Sequence, residues 1–274
     1  MESCLVTGGE DVLTDRLDAA AIRDAFARVA RGFDAPVHVH DSIGSTNDEA
    51  KRLASAGAPT GTLVVADTQT HGRGRSGHVW HSPPGESLYA SIIVRPRFSA
   101  DGSAAFTLAV GAVVARAVES RLPRGRVGIK WPNDVWLGEK KVAGILVEAQ
   151  VRGTEVTSLV VGVGVNVAAR SFPPPLDSIA TSLALGGARD LRRSVLAAEL
   201  AARTAAAAAT FADRGLAPWL DEISKLDVLA RRRVRVGDVV GIASGVAPSG
   251  ELAIRSDSSG VVYVSSGHVE IVGD

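Results

Sequence analysis

The sequence predicts an α/β protein with a mixed or largely antiparallel sheet, followed by a small β-barrel. Three observations lead there. Helical and extended patterns interleave without the regular strand–helix alternation of a doubly wound sheet. From Val228 onward, short apolar runs recur between turn residues at roughly ten-residue spacing, the pattern of a small barrel. Of the 274 residues, 46% are hydrophobic but only 4% aromatic, so a sizeable core must be built from Ala, Val, Leu and Ile.

Residues 1–16 show no periodicity and read as a loose leader. Residues 18–31 set Ile22, Phe26 and Val29 on one helical face, with Asp18 as N-cap and Gly32 at the end. Val37–His40 alternates like a strand. Ser42–Asn47 then forms a loop before a helix to about Ser55, with Ser45 or Thr46 a candidate N-cap. Leu63–Ala66 is a buried strand carrying Asp67, Thr68, Gln69 and Thr70 out at its end, and Ser87–Val94 is another. Residues 104–121 are apolar at helical spacing.

Val127–Lys130 is a short strand, after which Pro132-Asn133-Asp134 turns the chain. Val135–Leu137 and Val142–Val151 form a hairpin around Gly138-Glu139, and Gly153-Thr154 turns into Val156–Val163. Three prolines at 173–175 mark a surface loop, 192–214 a long helix and 216–225 a shorter one. The barrel strands are expected at Val234–Val236, Val239–Ile242, Leu252–Ile254, Val261–Val264 and Val269–Val272.

Charge and cysteine usage exclude several functions. Thirty basic residues balance thirty acidic ones, so no global positive field draws the chain to nucleic acid or anionic membrane. A single cysteine, Cys4, allows no internal disulfide and no Cys-based zinc cage, and fits a reducing cytosol. The N-terminus lacks the basic start and apolar run of a signal peptide, and no membrane span is expected. One N-terminal helix is too little for a helix-turn-helix. The six histidines show no metal-ligand spacing.

The stretch that carries chemistry is Gly72-Arg73-Gly74-Arg75-Ser76-Gly77-His78-Val79-Trp80. Glycine exposes backbone N–H groups, and arginine adds a planar, permanent charge suited to phosphate or carboxylate. The loop is neither a Walker A loop nor a Rossmann turn, because both spacings are missing. On these residues alone it reads equally as a solvated glycine-rich loop. The run Arg231-Arg232-Arg233 reads as a solvated face.

Further along stand Lys130-Trp131-Pro132-Asn133-Asp134 and Lys141-Val142-Ala143-Gly144-Ile145-Leu146. With the Gly-Arg loop, and in this order, they make the chain from about Asp41 onward resemble the biotin protein ligases, the biotin–[acetyl-CoA-carboxylase] ligases. The resemblance implies an SH2-like catalytic core at 17–226 and an SH3-like domain at 227–274. It also implies a cytoplasmic enzyme that uses ATP and Mg²⁺. Biotin would be its substrate, and a biotin carboxyl carrier domain its partner. It leaves dimerisation open and implies no DNA-binding role for a chain of this layout. A lipoate ligase, a biotin-responsive regulator and a ligand binder without catalysis are the alternatives.

Residue by residue, the resemblance implies that Ser45, Thr46 and Asn47 meet biotin's ureido ring, where hydroxyls and an amide supply donors and acceptors. Gln69, Gly72, Gly74, Trp80 and Gly144 would complete the biotin site. Arg73, Arg75 and Lys141 would act on carboxylate and phosphate. Lys130, Trp131, Asn133 and Asn166 would meet ATP, and Asp134 would serve metal or adenylate chemistry. The backbone N–H groups of Gly72 and Gly74 would add to the anion site. Ser76 and His78 depart from the basic residues common there. Alternation points Lys140 and Lys141 to opposite faces, so one of them serves, and the motif favours Lys141. Val142, Gly144 and Leu146 are expected to face the site. Loop 71–82 is expected to order over the bound ligand.

Overall fold

The structure is a computed structural model that describes residue 12 and residues 14–124, 126–153 and 155–273. Cys4, Thr154 and most of the expected leader lie outside the described residues. Helix α1 (Ala19–Val29) is capped as expected, the Asp18 carboxylate accepting the N–H groups of Ala20 and Ala21. Strand β1 (Val37–Ile43) runs further than its alternating core, which shortens the expected loop to Gly44-Ser45 before α2 (Thr46–Ser55). Strands β2 (Leu63–Gln69) and β3 (Ser87–Val94) follow, then α3 (Ser103–Glu119). The hairpins comprise β4 (Val127–Lys130), β5 (Asp134–Leu137), β6 (Lys140–Arg152) and β7 (Glu155–Asn166). Helices α4 (Arg193–Arg214) and α5 (Leu220–Leu226) precede the C-terminal strands.

The seven strands form one mixed sheet in the order β1-β2-β3-β7-β6-β5-β4. Only β1–β2 is parallel, because α2 carries the chain across between them. β3 is buried at every position because helices cover both faces of the sheet. Its Leu88, Ala90, Ile92 and Val94 join the main core beneath α3 and α4, whereas Ile93 packs with Val64, Val160 and the α2 residues Ala50 and Ala54. Phe98, Phe106 and Phe211 knit α3 to α4 with ring centres 4.7–5.4 Å apart. By length and composition, Ala100–Glu119 and Arg193–Arg214 would be apolar enough to cross a membrane, but most of each is buried here as core helix.

Asp15, assigned to the loose leader from sequence, is tied down instead. Its carboxylate accepts the N–H groups of Arg193 and Ser194 at 2.6 and 2.9 Å and so caps α4 from 178 residues away.

The C-terminal strands β8 (Arg233–Val236), β9 (Val239–Val246), β10 (Leu252–Ser256), β11 (Gly260–Val264) and β12 (Val269–Ile271) form a five-stranded antiparallel sheet. Its order is β11-β10-β9-β8-β12. It is fastened to the first sheet at three places. The Val228 N–H donates to Ile129 O, and Arg232 grips Glu139 with two bonds of 2.8 and 2.9 Å. Trp131 Nε1 donates to Gly250 O at 2.9 Å. Arg232 is therefore a structural clamp, and the basic run is not wholly a solvated face.

Gly250 sits at φ +90°, and a Cβ there would lie 2.7 Å from Ala105 Cα and 3.0 Å from its N. Backbone cannot give way as a side-chain tip can. Gly250→Ala should therefore cost roughly 2–3 kcal/mol, read as a lower urea midpoint. An unchanged midpoint would show that the hairpin tip does not bear on α3.

Candidate active site

The Gly-Arg loop is a closed turn gripped by the end of β2. The Trp80 N–H donates to Gly72 O, and the Gly74 N–H donates to His78 O at 2.7 Å. That second bond corrects an expectation, because the Gly74 amide is used inside the loop and not held free for an anion. Gly72 does not line the cavity; a Cβ there would fall 2.5 Å from Trp80 O and Ser82 Oγ, so it serves close packing. Thr68 Oγ1 donates to Ser82 O, Gln69 Nε2 to Ser82 Oγ and the Gly85 N–H to Asp67. Buried Arg193 donates to the same Asp67 oxygen at 2.7 Å.

Gln69 also decides how α2 begins. Its Oε1 accepts from the Thr46 N–H at 2.9 Å and from the Thr46 hydroxyl at 3.1 Å. Ser45 stands at the cap position but makes no side-chain cap bond. The hydroxyl cap expected from sequence is thus replaced by an amide from β2, and the Ser45 hydroxyl stays on the cavity wall.

The floor is a strip of strand without side chains. Gly144 on β6 pairs with Gly164 on β7, and Gly162 lies next along. A Cβ at Gly164 would sit 2.5 Å from the Trp80 ring, and one at Gly162 would sit 2.4 Å from Asn47 Oδ1. Both side chains reach the sheet only because these positions are bare. The space at Gly144 is occupied by Trp80 and the end of Lys141.

Strict alternation would place residues 141 and 144 on opposite faces. A bulge between the pairs Val135↔Ala143 and Trp136↔Lys141 inserts Val142 and brings Lys141 and Gly144 to the same side. Lys141, Gly144 and Leu146 line the cavity, whereas Val142 is buried in the core, against the expectation that it faces the site. Lys141 Nζ lies 2.6 Å from Asp134 Oδ1, an ion pair without hydrogen-bond alignment, and 5.1 Å from the Trp80 ring centre. Lys140 points elsewhere, donating to Asp177 O at 2.7 Å.

Positive charge gathers at this end. Burial pulls the Lys130 amine below its ordinary pKa, with Lys141 adding to the effect and Asp134 opposing it; the amine sits 4.8 Å from the Trp136 ring centre. Burial likewise lowers Arg75, which reaches Asn133 Oδ1 at 3.3 Å. Asn133 is itself fixed by exchange with the Ile145 backbone, and Asn166 donates to Thr181 O. Trp131 is 2% exposed and spends its ring N–H on Gly250, so it serves chiefly as a wedge beneath the turn. Cations held in a poorly hydrated site favour a bound anion. Among the described residues, no group of three His, Cys, Asp or Glu side chains could hold a metal. Asp134, paired with Lys141, does not amount to a resident metal site.

One cavity of about 610 Å³ joins all of these, and every candidate binding or catalytic residue named from the sequence except Gly72 lines it. His268, just before β12, also reaches the cavity, and Val79, 84% exposed, stands on its rim. Four residues behind the wall were not legible. Glu148 accepts from Asn47 Nδ2 and Lys51 Nζ, each at 2.6 Å, and lies 3.3 Å from Arg73. Asp48 holds Arg73 at 2.6 Å, and Ser91 bonds both Thr46 and Asn47. The i,i+4 pair Asn47 and Lys51, on one face of a predicted helix, was the available signal.

Residues 39–166 match the biotin/lipoate A/B protein ligase family. Over 269 residues the chain is 32% identical to a biotin–[acetyl-CoA-carboxylase] ligase of Mycobacterium tuberculosis, covering 94% of this chain and 97% of that protein. A ligase of the same name from Paracoccus denitrificans is 34% identical over 226 residues, which is 77% of this chain and 90% of that one. Among solved structures, the biotin protein ligase from Aquifex aeolicus in complex with biotin and ATP aligns with a TM-score of 0.74 at 28% identity, covering 87% of this chain and 99% of that chain.

Burial pushes the Glu148 carboxyl up, but bonds from Lys51 and Asn47 and the charge of Arg73 outweigh it and hold it below the ordinary value. A depressed folded-state pKa contributes stability above the unfolded pKa and loses it as pH falls through the folded one. Urea midpoints of the wild type and Glu148→Gln should therefore differ at neutral pH and converge as pH falls below the ordinary glutamate value of 4.5. A gap that stays constant into acid would refute the ion-pair assignment.

Proposed function

The chain belongs to the biotin/lipoate A/B protein ligase family, and on that premise we propose that it is a biotin–protein ligase. It joins the carboxylate of biotin to the α-phosphate of ATP, releases pyrophosphate and keeps biotinoyl-5′-AMP. It then passes the acyl group to a lysine of a biotin carboxyl carrier domain. One observation carries the reading: a single cavity lined by amide and hydroxyl groups with Arg73 close beside them, and by Arg75, Lys130 and Lys141 towards the turn at Asn133. A lipoyl ring has no ureido group, so in a lipoate ligase the polar wall of Ser45, Thr46, Asn47 and Gln69 would gain no hydrogen bond from the ligand's ring.

Ser45, Thr46 and Asn47 hold the ureido ring, with Gln69 fixing Thr46. Trp80 on the bare strip at Gly144 forms an apolar side for the bicycle and valeryl chain. Arg73, Arg75 and Lys141 surround the carboxylate and α-phosphate, and Lys130 and Asn133 meet the nucleotide, with Asn166 and Trp131 supporting that end. ATP enters as its Mg²⁺ complex, so the metal is part of the substrate.

In the first step a carboxylate oxygen attacks the α-phosphorus and pyrophosphate leaves with its electron pair. Two anions must approach, and the fixed cations offset their repulsion as charge shifts to the leaving oxygen. Asp134 holds the Lys141 ammonium in place until substrate arrives. In the second step a neutral lysine amine attacks the acyl carbon, AMP leaves and the amine gives up its proton.

Incubating the protein with biotin, ATP, Mg²⁺ and a carrier domain should add one biotinyl mass to a single carrier lysine, in an ATP-dependent manner. Labelling by lipoate and not biotin would move the chain to the other branch of the family. Lys141→Ala removes a charge-assisted contact worth roughly 2–4 kcal/mol, so biotin-dependent pyrophosphate release should slow by about 10²-fold or more. Transfer from synthetic biotinoyl-adenylate should suffer less, and Lys140→Ala should cost little in either step. A crippled Lys140→Ala would contradict the bulge-set register.

A further inference from the structure

We propose that Arg193, the first residue of α4, is a positioning residue that clamps the stem of the Gly-Arg loop and so sets where Trp80, Arg73 and Arg75 stand. The kinetic arm of its test rests on the biotin reading. Neither Arg193 nor its partner Asp67 lines the cavity.

The sheet parts where the loop begins. β2 and β3 pair from Leu63↔Ile92 to Ala66↔Tyr89, where their ladder ends. Beyond that point β2 stays with β1 through Thr68 and Gln69, and β3 stays with β7 through Leu88 and Ser87. The loop therefore leaves from one strand and returns to the other across a split in the sheet. Arg193 bridges the split. Its Nη1 donates to Asp67 Oδ1 at 2.7 Å on one side and to Ser87 O at 3.2 Å on the other. The same Asp67 oxygen takes the Gly85 N–H at 3.2 Å, which draws in the returning limb. Tyr89 Oη holds Pro83 O at 2.9 Å, and Thr68 and Gln69 grip Ser82 further up.

Arg193 is 4% exposed. Burying a guanidinium is costly even when it is paired, and an apolar side chain of similar volume would pack α4 onto β3 at least as well. An apolar side chain could not bond two diverging strands at once. The guanidinium also works from a fixed base, because Asp15 accepts the N–H groups of Arg193 and Ser194. Cutting the clamp leaves the two limbs free to separate. Trp80 then loses its fixed seat over Gly144 and Gly164, and both arginines of the loop move with it.

The test compares Arg193→Gln, Asp67→Asn and their double variant with the wild type. Exchange of the 72–82 amides, including the bonded N–H groups of Gly74 and Trp80, should quicken about 10-fold in each variant, on a timescale over which β7 amides do not exchange. The KM for biotin in pyrophosphate release should rise about 10-fold, because the groups that meet biotin are displaced. A merely structural loss would lower the folded fraction, and with it the apparent kcat, while leaving KM unchanged. The double variant should be no worse than the worse single one, since both cut one contact. Glu222→Gln, which cuts the pair with Arg116 between α3 and α5, should leave KM unchanged. If Arg193→Gln fails to fold, Asp67→Asn carries the same test, its side chain being 31% exposed. Unchanged loop exchange or unchanged KM in the folded variants, additive effects in the double variant, or an equal KM rise in Glu222→Gln overturns the proposal. Absence of biotin-dependent pyrophosphate release in the wild type would instead overturn the biotin reading, and the exchange comparison would still decide whether Arg193 clamps the loop.

Discussion

Trp80 lying on the bare backbone of Gly144 and Gly164 is the contact on which the rest of the site depends. Strands in the middle of a sheet normally present a side chain at every second position. Here that face is stripped, and the loop carrying Arg73 and Arg75 folds back across it instead of standing out in solvent. The same strip lets Asn47 reach Gly162 from the other direction. A methyl group at Gly162 would push Asn47 away and one at Gly164 would push Trp80 away, so the sequence keeps glycine where strand propensity would favour valine.

Around that floor, charge is distributed so that no cation waits idle. Lys141 faces Asp134, and Arg73 faces Asp48 and Glu148. Lys130 stands beside the Trp136 ring, and Arg75 reaches Asn133. These partners hold the side chains in place before an anion arrives, so little reorganisation remains for the reacting complex. The second sheet takes part through the backbone of Gly250, which holds Trp131 and with it the turn that presents Asn133 and Asp134.

The order of helices and strands was legible because apolar periodicity reports burial, and in this chain burial and secondary structure agree. The residues lining the cavity were legible because they sit in compact motifs. What escaped was set by long-range geometry. Alternation alone puts Lys141 and Gly144 on opposite faces, and only the extra residue Val142 reconciles them. Ser45 holds the expected cap position, but its hydroxyl makes no cap bond, and an amide 23 residues away from Thr46 in the chain takes the Thr46 N–H instead. Asp15 capping α4 and Glu148 joining three separate stretches are contacts between distant positions, which no local pattern encodes.

The most direct measurement is a crystal structure of the protein grown with biotin and ATP. The expected result is biotinoyl-5′-AMP in the cavity, with its ureido ring on Ser45, Thr46 and Asn47, the bicycle against Trp80 and the phosphate between Arg73, Arg75 and Lys141. A ligand bound in the reverse sense, with its ureido ring among the cations, or one lying outside the cavity would contradict it.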